Sequence, residues 1–209
     1  MIKGIASDLD GTLIDTTKVL AEAWLEALKS EGIDVKYEEL YKKTKGIASK
    51  DIIRKFKSDS SQEDVTRIRE KRKKNFLRII NGDYQLLYPE TLDVIKEIKN
   101  KGIKFAISTG LSLDLLSDVL RLTGLDKLAD AVVSADEMKK GKPEPDIFIE
   151  AFNRIGVEPK DGLVVGDSDN DVIPGKKIGA FTVFISREGE RSSLADANIT
   201  NLKELLKFL

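Results

Sequence analysis

Apolar positions along this chain follow two rhythms. Residues 2–6 form a short, mostly apolar run of the kind that fills a buried strand. Beyond it, Val19, Leu20, Ala23, Trp24, Ala27 and Leu28 recur at helical spacing. This predicts a helix over about 17–31, with Thr16 and Thr17 placed to cap it and Gly32 to end it. Helical patterns return over 37–44, 49–57 and 61–80, split by Gly46 and by Ser58-Asp59-Ser60. No strand pattern occurs between 16 and 83. From Leu86 the two rhythms alternate. Helices are predicted over about 89–100, 112–123, 145–155 and 169–178, and strands over 103–107, 131–133, 163–165 and 181–185. That alternation predicts an α/β fold, a parallel sheet covered by helices on both faces. The all-helical stretch predicts a second, smaller domain. Residues 1–15 and 84–209 would form the core, and 16–83 the insert.

Composition narrows the function. Hydrophobic residues are 41%, enough for a sizeable core, and the net charge of −1 gives no reason to expect nucleic acid or a membrane surface as partner. No run approaches a transmembrane length, and Met1-Ile2-Lys3 opens straight into a strand, so a cytoplasmic location is expected. Cys and His are both absent, which leaves carboxylates, Lys, Ser/Thr or a metal to carry any catalysis. Charge divides along the domain boundary: residues 16–83 hold 17 Lys+Arg and 12 Asp+Glu, the remainder 18 and 24. Part of the excess is the run Arg67, Arg69, Lys71, Arg72, Lys73, Lys74 and Arg78, read first as a solvated helix face. Attraction of anionic substrates, or an interaction surface, is the other reading. Aromatic residues are too sparse around it to argue for nucleic acid.

In an open parallel α/β sheet, ligands bind beyond the carboxyl ends of the strands. The polar clusters fall at those ends. Asp8-Leu9-Asp10-Gly11-Thr12-Leu13-Ile14-Asp15 follows the first strand, Ser108-Thr109-Gly110 the second, Lys142 lies after the third, and Asp167-Ser168-Asp169-Asn170-Asp171 follows the fourth. Two acids one residue apart repel each other unless a cation or a shared proton intervenes. The pair suits a divalent metal, with one acid attacking and the other handling protons. Backbone N–H groups and a hydroxyl at Ser108 and Thr109 suit a phosphate. Lys142, between Gly141 and Pro143, offers a cation in a stiffened loop. Asp167 and Asp171, four residues apart at a helix start, would face the same way.

These residues resemble the haloacid dehalogenase superfamily, in its phosphoglycolate phosphatase and β-phosphoglucomutase-like branch with a helical cap of the first type. DLDGTLID is similar to that family's first motif, the Ser108 loop to its second, GKPEPDIF to its third and VGDSDND to its fourth. The resemblance implies a Rossmann-like core with an inserted helical cap domain. It implies Asp8 as a nucleophile forming an aspartyl-phosphate, and Asp10 as the acid that protonates the leaving oxygen and then activates water. It implies Mg²⁺ held by Asp8, the backbone carbonyl of Asp10 and Asp167, with Asp171 as a further ligand or as outer-shell support. Ser108 would bind the transferring phosphoryl group with help from the backbone of Thr109, and Lys142 would neutralise charge between nucleophile and phosphate. Glu90 follows Pro89 where many members have Gly, a difference expected to touch packing. Thr44-Lys45-Gly46 would place Lys45 at the cleft, against a polar or anionic part of the substrate.

The expected activity is Mg²⁺-dependent hydrolysis of small phosphomonoesters, with a small phosphorylated metabolite as partner. Monomer and homodimer both stay open. Two rivals remain at this point: a sugar phosphomutase resembling β-phosphoglucomutase, and a non-enzymatic aspartyl-phosphate switch. The switch fits poorly with the acid two residues after Asp8 and with the large helical insert.

Overall fold

A computed structural model of the chain describes residues 1–43, 47–80 and 84–209. The expected parallel sheet is present, with six strands: β1 (Gly4–Ser7), β2 (Lys104–Thr109), β3 (Ala131–Ser134), β4 (Gly162–Gly166), β5 (Phe181–Ile185) and β6 (Ala197–Ile199). Their order is β3-β2-β1-β4-β5-β6, and every pairing is parallel. β1 is central, with Ala6 opposite both Ala106 and Val164. The helices are α1 (Thr17–Lys29), α2 (Tyr37–Lys43), α3 (Ser49–Phe56), α4 (Gln62–Ile79), α5 (Thr91–Asn100), α6 (Leu113–Thr123), α7 (Asp146–Ile155) and α8 (Asp169–Lys177). No helix among the described residues is long and apolar enough to cross a membrane.

Alternation along the strands builds two layers. Ile5, Phe105, Ile107, Leu163 and Val165 share one cluster with residues of α5 and α6 and with Leu202 and Leu205 near the C-terminus. Ala6, Ala106 and Val164 share the other with Ile147, Phe148, Ala151 and Phe152 of α7. The small Ala6 and Ala106 leave room for the two Phe rings of α7. Full burial of each such ring contributes roughly 1.5–3 kcal/mol.

The insert, α1 to α4, has an apolar cluster of its own around Trp24, Leu28, Leu40, Ile52, Ile53 and Ile68. Its edge is not cleanly separate, because Val19, Ala23, Phe76 and Ile80 join the main cluster of the sheet. The two connections between insert and sheet are tied to each other. Asp15 N–H donates to the Leu86 carbonyl at 2.7 Å, Tyr88 N–H to the Leu13 carbonyl at 3.3 Å, and the Thr91 hydroxyl to the same carbonyl at 2.7 Å.

Three expectations need correction. The basic run on α4 is not simply a solvated face. Arg72 is fully buried, Arg69 forms a two-pronged pair with Asp136 at 2.5 and 3.0 Å, and Lys73 reaches the Asp114 carbonyl and Asp118. One side of α4 lies against the start of α6, where those acids cluster. Thr16 occupies the N-cap position of α1 but makes no side-chain cap bond, because its hydroxyl donates to Asp10 instead. Finally, β6 and the 3₁₀ segment Leu202–Phe208 extend the fold beyond the last predicted strand.

Candidate active site

The carboxyl ends of β1, β2 and β4 and the loop after β3 converge, bringing together Asp8, Asp10, Ser108, Thr109, Lys142, Asp167 and Asp171. Lys142 is the hub. Its buried ammonium donates to Asp8 Oδ1 at 2.6 Å, to Asp171 Oδ1 at 2.6 Å and to the Ser108 carbonyl at 3.0 Å. It also lies 5.1 Å above the Phe148 ring. Burial opposes its charge, but the adjacent Asp171 and Asp8 carboxylates outweigh that, so the ammonium is held above its ordinary range.

The acids outnumber this one cation. Asp8, Asp167 and Asp171 each place a carboxylate oxygen within 4.8 Å of the others. Asp171 is fully buried, and its Oδ2 has no hydrogen-bond partner. Burial pushes its carboxyl well above the usual range; Lys142 pulls the other way, and Asp8 and Asp167 push further. The cluster thus lacks positive charge, and an all-oxygen donor set suits a hard divalent cation. The residues present fit such an ion. Two glycines permit the crowding. Gly11 has φ +78°, and a Cβ there would lie 2.2 Å from Asp167 Oδ2. A Cβ on Gly166 would lie 2.4 Å from Asp171 Cβ.

Asp10 stands beside this cluster. Thr16 donates to its Oδ1 at 2.5 Å and Thr109 to its Oδ2 at 3.2 Å. Burial first, then the neighbouring Asp8, raise its carboxyl to about 7, against the lowering effect of the two hydroxyls. A carboxyl poised there can give or accept a proton near neutrality. Ser108 is fully buried, and its hydroxyl has no partner. An orphan donor at the carboxyl end of a buried strand is the feature an incoming oxyanion would satisfy. The Thr109 side chain is spent on Asp10 and on the Leu111 N–H at 3.0 Å.

A cavity of about 50 Å³ opens above Asp8 and Asp10, walled by Trp24, Ile47, Ile52 and Leu111 among others. Insert and sheet meet around it. Ser49 N–H donates to the Gly110 carbonyl at 3.4 Å, and Lys50 to the Met138 carbonyl at 3.1 Å. Trp24 belongs both to the insert's core and to the cavity wall. Lys45, expected at the cleft, lies outside the described residues.

Sequence reasoning missed three participants. Thr16 and the Thr109 hydroxyl position Asp10, yet a Thr before a helix reads as a cap and a Thr after Ser108 as part of a turn. Arg72 packs over Trp24 at 5.1 Å and donates to the Ser112 hydroxyl at 2.5 Å, while its Nε and Nη1 are buried without partners. Burial lowers its guanidinium to about 10, so it stays charged at neutral pH. Within seven cations on one helix, nothing in the sequence singles it out.

The sequence matches the haloacid dehalogenase-like hydrolase family over residues 2–179. It is 30% identical to a phosphoglycolate phosphatase of Aquifex aeolicus, over 98% of this chain and 95% of that one. It is 29% identical to the pyrophosphatase PpaX of Bacillus velezensis, over 88% and 83%. In structure it resembles a β-phosphoglucomutase of Clostridium difficile, with a TM-score of 0.85 and 22% identity, covering 98% and 93% of the two chains.

Proposed function

The chain belongs to the haloacid dehalogenase-like hydrolase family, and from that premise we propose that it is a cytoplasmic, Mg²⁺-dependent phosphatase of small phosphomonoesters. The observation that carries this reading is the buried Lys142 clamped between Asp8 and Asp171 and donating to the Ser108 carbonyl, with the hydroxyl of that same serine left without a partner.

In the proposed reaction Asp8 attacks phosphorus. An oxygen–phosphorus bond forms on its carboxylate as the bond to the leaving oxygen breaks, and Asp10 gives that oxygen its proton. Asp10, now ionised, takes a proton from water, which attacks phosphorus and releases Asp8 and inorganic phosphate. Ser108 donates to a phosphoryl oxygen, and Lys142 offsets the charge between nucleophile and phosphate. Asp8, Asp167, Asp171 and the backbone carbonyl of Asp10 would hold Mg²⁺, which when bound supplies further charge for the phosphoryl oxygens. The insert acts as a cap, excluding bulk water from the aspartyl-phosphate.

The cavity and Arg72 narrow the substrate. A space of about 50 Å³, with Leu20, Trp24, Ile47, Ile52 and Leu111 in its walls, favours a small leaving group. Phosphoglycolate and pyrophosphate, named for two relatives, both carry a second anionic group. Arg72, buried, charged and only partly paired behind Trp24, does not line the cavity but adds positive potential on that side, which would favour such a group.

The test is inorganic phosphate release from phosphoglycolate, pyrophosphate, sugar phosphates, nucleotides and p-nitrophenyl phosphate, with and without Mg²⁺. Mg²⁺-dependent release, fastest from small dianionic or larger-charged substrates, is expected. Isomerisation of a hexose 1-phosphate without phosphate release would replace this reading with the phosphomutase.

A further inference from the structure

Arg187 follows β5 and lies behind the first catalytic loop. Its Nη1 donates to the Gly11 carbonyl and its Nη2 to the Thr12 carbonyl, both at 3.2 Å. Nη2 also donates to Glu90 Oε1 at 2.9 Å. The guanidinium carbon lies 3.3 Å from the centroid of the Tyr88 ring. One side chain therefore joins three segments: the turn immediately after Asp10, the connection returning from the insert, and the end of β5.

This geometry uses what is particular to arginine. A planar fork of donors can meet two successive carbonyls and a carboxylate while its face stacks on an aromatic ring. A Lys offers neither the fork nor the face. The turn it grips is tight: Gly11 N–H donates to the Ile14 carbonyl at 2.8 Å, and Leu13 N–H to the Leu9 carbonyl at 2.9 Å. That turn carries Asp10, whose carboxyl must sit between the Thr16 and Thr109 hydroxyls. It also presses against Asp167, so a shift of the turn would disturb both proton handling and the acid cluster. Glu90 is buried and neutralises Arg187, and its Oε1 also accepts from Leu202 N–H at 3.4 Å. Glu90 stands where the sequence resemblance leads one to expect Gly, and its partnership with Arg187 accounts for the acid.

We propose that Arg187 is a positioning residue for Asp10, clamping the Gly11-Thr12 turn to the Tyr88–Glu90 connection. It touches no reacting atom, and the proposal rests on the reading of Asp10 as the proton-handling group.

The test compares wild type with Arg187→Gln and Arg187→Lys. Amide exchange of the metal-free protein is followed by mass spectrometry, and phosphate release is measured on the best substrate. In Arg187→Gln, residues 9–16 are expected to exchange at least tenfold faster while β4 and α7 keep their wild-type rates. Turnover should fall tenfold or more, with KM within twofold. Arg187→Lys, which keeps the charge but not the fork, should loosen residues 9–16 at least threefold, and it decides the matter if the Gln variant unfolds. Wild-type exchange over 9–16 in a folded variant would overturn the clamp, and so would loosened exchange with turnover unchanged. If wild type itself releases no phosphate, the phosphatase reading fails, and the exchange rates alone decide whether the turn is clamped.

Discussion

The pKa of Asp10 makes a quantitative prediction about stability. Its carboxyl is raised from 3.8 to about 7, first by burial and then by Asp8. At 1.36 kcal/mol per pH unit, that difference amounts to about 4 kcal/mol, and solvent at this partly exposed residue screens a share of it. The folded state holds the Asp10 proton more tightly than the unfolded chain does. Its contribution to stability is therefore complete below pH 3.8, shrinks as pH rises, and is gone above about 7. Other carboxyls act in the opposite direction: Asp64, Glu31 and Glu204 are held below their usual range and lose stabilisation as pH falls. Asp10→Asn isolates the one site, because Asn does not titrate and the other groups are common to both proteins. Urea unfolding in EDTA at pH 7.5 and 5.5 should show wild type gaining about 1–2 kcal/mol on the variant at the lower pH. A stability difference independent of pH would refute the assignment of a raised carboxyl to Asp10.

Further predictions follow from single residues. Lys142→Met leaves Asp8 and Asp171 facing each other without their cation, and should cost about 3–5 kcal/mol in metal-free urea melts at pH 7.5. Gly11→Ala meets both a positive φ and Asp167 Oδ2, so turnover should fall at least a hundredfold, with about 1–2 kcal/mol lost in thermal melts. Arg72→Met should raise KM for phosphoglycolate or pyrophosphate tenfold or more and leave p-nitrophenyl phosphate within twofold. Its stability should change by no more than about 1 kcal/mol, because the buried guanidinium is poorly paired.

Much of this architecture was legible because burial and periodicity agree. Ile5, Phe105 and Leu163 lie on one sheet face and Ala6, Ala106 and Val164 on the other, and short apolar runs marked their strands. Asp8, Lys142 and Asp171 were legible as a site because each follows a strand, where a parallel sheet leaves open space. What escaped depends on contacts between distant segments. Arg72 is one cation among seven until α4 is laid against α6. Thr16 satisfies the local rule for a helix cap, and only the folded loop shows that Asp10 claims its hydroxyl. Ala197 and Asn198 of β6 are only partly buried, so three residues carried no alternation to read. Arg187 sits in a polar loop, and its partners come from positions near 11 and 90.

The central claim is that Asp8 carries the phosphoryl group, and trapping that group tests it most directly. Asp10→Asn keeps the nucleophile but removes the base that activates water, and p-nitrophenolate leaves without needing a proton, so labelled p-nitrophenyl phosphate with Mg²⁺ should leave an acid-stable phosphoryl group on the protein. Peptide mass spectrometry should place it on Asp8, and Asp8→Asn should show none. Brisk phosphate release by wild type, with no label on Asp8 in either quenched protein, would contradict the account and point to direct attack by water.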